Sequence, residues 1–208
     1  MPSADGLDSA ALSVTASVTV TPTVAEANAI VKVNGATVAS GTASAAIPLV
    51  AGINTINVNV TAQDGVTLTT YVLTIDNSSY GVWKSSVFTH PADLNNPTVS
   101  GEMATPANDG ITNLMKYAIA LDPMASGTGG LPTASPQGGY LMLTYQKNKQ
   151  AADVIYTVQS SDSLTGIWAT ATTVTAQSDQ GTYTLVTVRD TVPQARHPHR
   201  FMRLQVGK

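Results

Sequence analysis

The chain has 208 residues, of which 43% are hydrophobic and 11% charged, with a net charge of −3 and no cysteine. This length allows one large or two small domains, and the apolar content suffices for a core. The absence of any basic block excludes an electrostatic footprint for nucleic acid, and no apolar run approaches the roughly 18 residues that insertion into a membrane requires. The low charge and the many small polar residues favour β-strands and an exported bacterial protein.

Alternating apolar and polar side chains predict a series of strands in the first third of the chain. The Asn34-Gly35 pair predicts a tight hairpin, because both residues tolerate positive φ. We expect Tyr71, Leu73 and Ile75 on the core face of the last strand. The predicted strands cover residues 12–20, 29–33, 36–39, 45–50, 55–62 and 66–75.

Residues 32–76, KVNGATVASGTASAAIPLVAGINTINVNVTAQDGVTLTTYVLTID, resemble the bacterial cadherin-like β-sandwich domain. The resemblance implies an extracellular, non-catalytic domain over residues 1–76. Members of that family begin with a further segment before the strand that corresponds to residues 12–20, and this chain lacks it. We therefore expect a sandwich without its first strand. Its exposed sheet edge is either blunted, prone to aggregate or filled by a strand from another chain.

A second domain is predicted over residues 77–208, after a polar linker at residues 77–80. Trp83, Val87 and Phe88 are expected to anchor its core. A loop is predicted over residues 92–106, then one short helix over about 111–121, where apolar side chains recur at helical spacing. A Gly- and Pro-rich connection over residues 124–139 leads to strands at 140–146, 154–160, 167–175, 183–189 and 201–206.

This half resembles the carboxyl-terminal module of Verrucomicrobia-type secreted proteins. The matching segments are Trp83 and Phe88, followed by ATPANDGITNLMKYAIALDP, LMLTYQK, DVIYTVQSSDSLTGIW, VTVRDTVP and HRFMRLQV. The resemblance implies an accessory module of an exported protein, with no assigned reaction.

In that family the loop before the helix resembles a calcium loop of the thrombospondin-repeat or dockerin kind. Thr105, Ala107 and Lys116 stand here where the family has acidic residues. Calcium needs six to eight oxygen ligands, and the remaining candidates are Asn108, Asp109 and Asn113. The alternative is a helix amino terminus capped by Asn108 or Asp109, with no cofactor bound.

The sequence contains two further candidate sites. The His197-Pro198-His199 segment is either a metal site or a solvated basic loop, and it has no acidic or Cys partner nearby in sequence. Trp168 and Tyr140 are candidates for stacking on a polysaccharide, and core packing is the alternative for Trp168. The sequence contains no nucleophile motif and no evident carboxylate pair, so we expect no enzymatic activity.

These observations predict an all-β protein made of two antiparallel Ig/cadherin-like β-sandwich domains with one short helix. Its expected function is that of a non-catalytic structural or adhesion module at the bacterial cell surface. Expected partners are other copies of itself, joined by strand complementation into a filament, or neighbouring domains of a larger surface protein. The alternative is a carbohydrate-binding accessory module of a secreted enzyme.

Overall fold

The computed structural model describes residues 15–197 and 199–208. The chain divides into two compact units, Met1–Val82 and Trp83–Lys208. Strands are the dominant element in both, and the strand pairs of the described residues are antiparallel. The predicted all-β fold with antiparallel Ig/cadherin-like sandwiches is confirmed.

The amino-terminal unit contains a four-stranded sheet with the order β3-β2-β5-β6 and a two-stranded sheet that pairs β1 with β4. The Asn34-Gly35 hairpin joins β2 to β3 as predicted, and both residues have positive φ, 47° and 86°. Predicted residues 12–14 lie outside the described residues. The strands are β1 (Ser17–Val18), β2 (Ile30–Val33), β3 (Ala36–Val38), β4 (Ile47–Pro48), β5 (Ile53–Thr61) and β6 (Leu68–Asp76).

The core of this unit forms on one face of the four-stranded sheet, because alternate β-branched side chains of β2 and β5 point to the same side. Leu73 and Ile75 of β6 pack against it, as do residues of β1 and β4. Tyr71 lies on the core face as predicted, opposite the buried Val58, but its side chain remains 40% exposed. The buried residues are Val31, Val33, Ile56 and Val58.

The described residues contain four α-helical segments, where the sequence analysis predicted one helix. Residues 92–106, predicted as loop, contain two short helices that each begin at a proline, with the side chains of His90 and Asn96 as amino-terminal caps. Proline fits the first helical position because its missing N–H needs no partner there. The helices are α1 (Ser79–Val87), α2 (Pro91–Leu94), α3 (Pro97–Ser100) and α4 (Asn113–Ala118).

The helix α4 is shorter than the predicted 111–121. It begins after Thr112, whose hydroxyl accepts a hydrogen bond from the N–H of Met115, so neither Asn108 nor Asp109 is the cap. It ends because Ala120 adopts the left-handed region at φ 56°. The N–H of Leu121 donates to the carbonyl of Lys116 and that of Ala120 to the carbonyl of Tyr117, the Schellman pattern of helix ends.

The carboxyl-terminal unit contains a four-stranded sheet with the order β10-β11-β8-β7 and a two-stranded sheet of β12 and β9. The predicted strand at 167–175 lies further along the chain, at β10. The strand β7 falls in a segment that was predicted to be an irregular connection. The strands are β7 (Thr133–Gln137), β8 (Tyr140–Asn148), β9 (Ile155–Ser161), β10 (Thr172–Asp179), β11 (Tyr183–Pro193) and β12 (Phe201–Gly207), with a 3-10 turn at Gln194–Arg196.

The core of this unit lies between the two sheets, and α4 packs against it. Tyr117, Ala118 and Ile119 at the end of α4 are fully buried. Trp83 and Phe88, the predicted aromatic anchors, are in contact with each other, and Trp83 also packs on Tyr117 at 5.2 Å between ring centroids. The clustered core residues are Ala118, Ile119, Leu143, Tyr145, Val158, Val186, Val188 and Leu204.

Candidate functional sites

The loop before α4 holds the residues that the sequence analysis named as calcium ligands. Asn108 is exposed at φ 55°, and Gly110 follows at φ 75°, so the chain reverses within a few residues. One carboxylate oxygen of Asp109 accepts a hydrogen bond from the N–H of Ile111, at 3.0 Å. Asn113 is fully buried, and its amide nitrogen donates to the carbonyls of Val99 and Gly101. The amide of Asn113 therefore secures the end of α3 against α4.

The Lys116 ammonium lies in this loop, almost inaccessible to solvent. The Lys116 Nζ is 2.7 Å from the second carboxylate oxygen of Asp109, and the Lys116 side chain is 1% exposed. The same Nζ donates to the carbonyls of Ala125 and Pro123, at 2.9 and 3.3 Å. A lysine ammonium has three N–H donors. It therefore meets three oxygens that come from both ends of the segment and ties residue 109 to residues 123–125.

The ammonium changes what the loop can bind. Its ion contact with Asp109, followed by the hydrogen bond from Ile111, holds the pKa of the Asp109 carboxyl below its usual value of 3.8. The carboxylate is thus charged at neutral pH and already has a cationic partner. A calcium ion at this carboxylate would stand beside a buried positive charge, which opposes its binding. In the sequence, Lys116 stands where the resembled family has an acidic residue, which put a cation beside the predicted site.

A second buried ion pair lies at the end of β11. Both carboxylate oxygens of Asp190 receive hydrogen bonds from the guanidinium of Arg200, at 2.7 and 2.8 Å. Asp190 is fully buried, and one of its oxygens also accepts from the hydroxyl of Ser160 on β9. Arg200 donates to that hydroxyl as well, at 2.9 Å. The cluster therefore joins the two sheets of the sandwich, and Ser160 has no accessible hydroxyl for nucleophilic chemistry.

His197 and Arg200 both contact Asp162, at 2.9 and 3.0 Å. The hydrogen bond from Arg200 is the main cause that holds the pKa of the Asp162 carboxyl below its usual value. His199 is exposed, and Pro198 lies outside the described residues. Within residues 15–197 and 199–208, no three His, Cys, Asp or Glu side chains are grouped closely enough to hold a metal ion.

The two aromatic residues proposed for sugar stacking are each covered on one face by an arginine. Trp168 is half-buried, and the guanidinium of Arg203 lies 4.2 Å from its ring centroid. Tyr140 is also half-buried, with the guanidinium of Arg189 at 4.6 Å. Such stacking stabilises the rings where they are and leaves at most one face of each for a ligand. Ile167, next to Trp168, is 92% exposed.

The protein is therefore built of antiparallel β-sandwiches, and the buried charges of Lys116, Asp109, Arg200 and Asp190 are neutralised by one another within the fold. Residues 8–77 match the family model of the cadherin-like β-sandwich domain. This match supports the resemblance drawn for the first domain. Domains of that family are usually extracellular or at the cell surface, and they are typically non-enzymatic. The amino-terminal unit is therefore of a structural or adhesion type.

The chain is also similar to part of a curated protein. A protein of Evansella cellulosilytica named "Putative membrane protein" is 43% identical over 60 residues, which is 29% of this chain and 9% of that protein. The chain thus corresponds to less than a tenth of that relative's length. No solved structure matches the chain. Among the helices of the described residues, none combines the length and the apolar character needed to cross a bilayer.

Proposed function

We propose that the chain is a non-catalytic extracellular structural or adhesion module of a bacterial surface protein. In this proposal it associates with other copies of itself by strand complementation and so builds a filament. The observation that supports a structural role best is the use of its buried charges. Lys116 pairs with Asp109 and Arg200 with Asp190, both within the carboxyl-terminal unit, so each of these buried cations already has a carboxylate partner. Such pairs favour one arrangement of the fold, and they leave neither Asp109 nor Asp190 free to act as an acid or a base.

The surface composition supports an extracellular location. Few charges are available for steering a charged ligand, and the outer faces of the strands carry Thr, Asn and Ser. Several of the exposed apolar side chains lie on outer strands of the sheets. Apolar groups at such positions favour association with other protein chains.

The test is the mass of the purified chain in solution by light scattering, together with electron microscopy of the same sample. Regular polymers that grow with protein concentration are expected. A monomer at every concentration would refute self-assembly. A head-to-tail contact that does not close gives a fibre, whereas a two-fold contact stops at a dimer, so the mass distribution also identifies the type of contact.

A carbohydrate-binding module is the second candidate, and the partial exposure of Trp168 favours it. Polysaccharide binding on the free face of this ring should change the tryptophan fluorescence, and Trp168→Ala should abolish the change. Tyr140→Ala removes the other candidate ring and is the matched control. If Trp168 alone forms the site, this variant should keep the fluorescence change. A fluorescence that no polysaccharide alters would reject this function.

A further inference from the structure

The strand β6 is an outer strand of its four-stranded sheet. Its nine residues pair with β5 in an unbroken register, from Thr61 with Leu68 to Ile53 with Asp76. In the part of the chain that the structure describes, no strand pairs with its other edge. Residues 68–75, LTTYVLTI, contain no charge, proline or glycine. An edge of this length and composition is a template for a further strand.

The other outer strands of the two four-stranded sheets are protected in ways that β6 is not. The strand β3 has only three residues. The strand β7 contains Pro136, which lacks a backbone donor. The strand β10 has a register irregularity between Val174 and Ala176 and ends at the charged Asp179. Short length, proline, bulges and charges are the usual means of blocking an edge.

The side chains of β6 are exposed on both faces of the sheet. Leu68 and Val72, on the face away from the core, are each 59% exposed. Tyr71 points toward the core side and is still 40% exposed. The sandwich therefore leaves this strand uncovered at residues 68–72, where a further strand would bury apolar surface as well as form backbone hydrogen bonds.

We propose that the occupant of this edge is β6 of a second copy of the chain, paired antiparallel. This rests on the proposed self-association and assigns it one two-fold contact, which by itself stops at a dimer, so a filament also needs a second contact elsewhere on the chain. A strand with no charge over eight residues meets its own copy without repulsion. A two-fold axis beside Thr70 sets Leu68 of each copy opposite Val72 of the other, so each of these exposed side chains gains an apolar cross-strand neighbour.

The described residues at the start of the chain are not available for this edge. Ser17 and Val18 pair with β4, and Val18 and Val20 pack against the core of their own unit. A strand exchanged from residues 1–14 is the competing occupant. That segment contains Gly6, Asp5 and Asp8, which are unfavourable in strands, whereas β6 consists mainly of β-branched and aromatic residues.

Single cysteines test the pairing directly, because the natural chain has none. Under mild oxidation, Thr70→Cys should form a disulfide-linked dimer. The matched control is Thr37→Cys, since Thr37 is also an exposed threonine and lies on β3, the opposite edge of the same sheet. Cross-linking of Thr37→Cys as fast as Thr70→Cys, or no cross-linking of Thr70→Cys, would overturn the proposal.

Val72→Lys provides a second measurement in the full chain. Its exposed position should tolerate the charge, so the thermal unfolding midpoint is expected to stay near that of the wild type. In the proposed register each lysine lies opposite Leu68 of the other copy and replaces its apolar partner, which should weaken association by about tenfold. Association of this variant at wild-type strength would overturn the proposal. So would loss of association only on deletion of residues 1–14, which would assign the edge to that segment.

These outcomes distinguish the proposed β6 pairing from the proposed filament. A cross-linkable dimer that forms no polymer supports the β6 pairing and refutes the filament. Polymers that persist in Val72→Lys and do not cross-link through Thr70→Cys support a filament and refute the β6 pairing. A wild-type chain that stays monomeric refutes both.

Discussion

Removal of the buried ammonium of Lys116 should destabilise the carboxyl-terminal unit strongly. Lys116→Met keeps an unbranched chain of similar length in the same buried space and deletes only the charged group and its donors. The carbonyls of Pro123 and Ala125 then lose their contact with Nζ, and Asp109 loses its cation. The segment from residue 109 to residue 125 is no longer tied at its two ends.

The size of the effect follows from the groups left without partners. A buried acceptor without a donor costs about 1–3 kcal/mol. The Pro123 residue is fully buried and should bear the full cost, whereas Ala125 is exposed and can turn to water. Breaking a buried ion pair by removal of one partner costs about 3–5 kcal/mol in other proteins. We expect Lys116→Met to lower the free energy of unfolding by about 3 kcal/mol, at the lower end of that range.

Urea unfolding followed by tryptophan fluorescence measures this loss, because both tryptophans, Trp83 and Trp168, belong to the carboxyl-terminal unit. The control is Lys149→Met. The ion pair of Lys149 with Asp179 is largely exposed, so its removal should change the unfolding midpoint little. If Lys116→Met unfolds at the same urea concentration as Lys149→Met, the buried ammonium does not hold the loop.

Three further predictions concern the same loop and helix. Ala120→Gly should raise the free energy of unfolding by about 0.5–1 kcal/mol in urea titrations, because glycine adopts the left-handed helix end without steric cost; a decrease would contradict this reading of the helix end. The lowered pKa of Asp109 gives a contribution that is present above its usual value of 3.8 and lost as the pH falls below it. The stability gap between the wild type and Asp109→Asn should therefore shrink below about pH 4, and a gap that is constant with pH would exclude the ion pair as its source. Millimolar calcium should leave the thermal midpoint of the wild type unchanged, since Lys116 already neutralises the carboxylate, and a rise would indicate a bound ion.

The strands were predictable wherever one face is buried. Alternation of apolar and polar residues marked β2, β5, β8 and β12, and the Asn34-Gly35 hairpin set the register of β2 with β3. The strands β7 and β10 were missed or misplaced, because their side chains are nearly all exposed and carry no alternation. Their position is set by pairing with β8 and β11, which the sequence does not display.

The helices α1, α2 and α3 were not predicted, for two different reasons. The segment of α1 contains Gly81 and three serines, so its propensity is weak and its apolar periodicity is poor. The prolines of α2 and α3 were interpreted as loop residues. The preceding His90 and Asn96 are the signal that could have identified them, since a capping side chain before a proline marks the first turn of a helix.

The loop site was predictable only in part. The sequence placed the cation of Lys116 beside Asp109, and the structure confirms that they are adjacent. It could not show that the ammonium is buried, because two of its three partners are backbone carbonyls, at residues 123 and 125, which leave no trace in residue type. For the same reason, Asn113 was named as an oxygen ligand, although its amide nitrogen is directed at two carbonyls of the chain.

The central claim is that this chain is a self-associating structural module. Light scattering of the wild-type chain over a range of concentrations, with electron microscopy of the same samples, tests it most directly. We expect species larger than the monomer of 21.4 kDa that increase with concentration. A single species of monomer mass at all concentrations, with no ordered assemblies on the grids, would contradict the account.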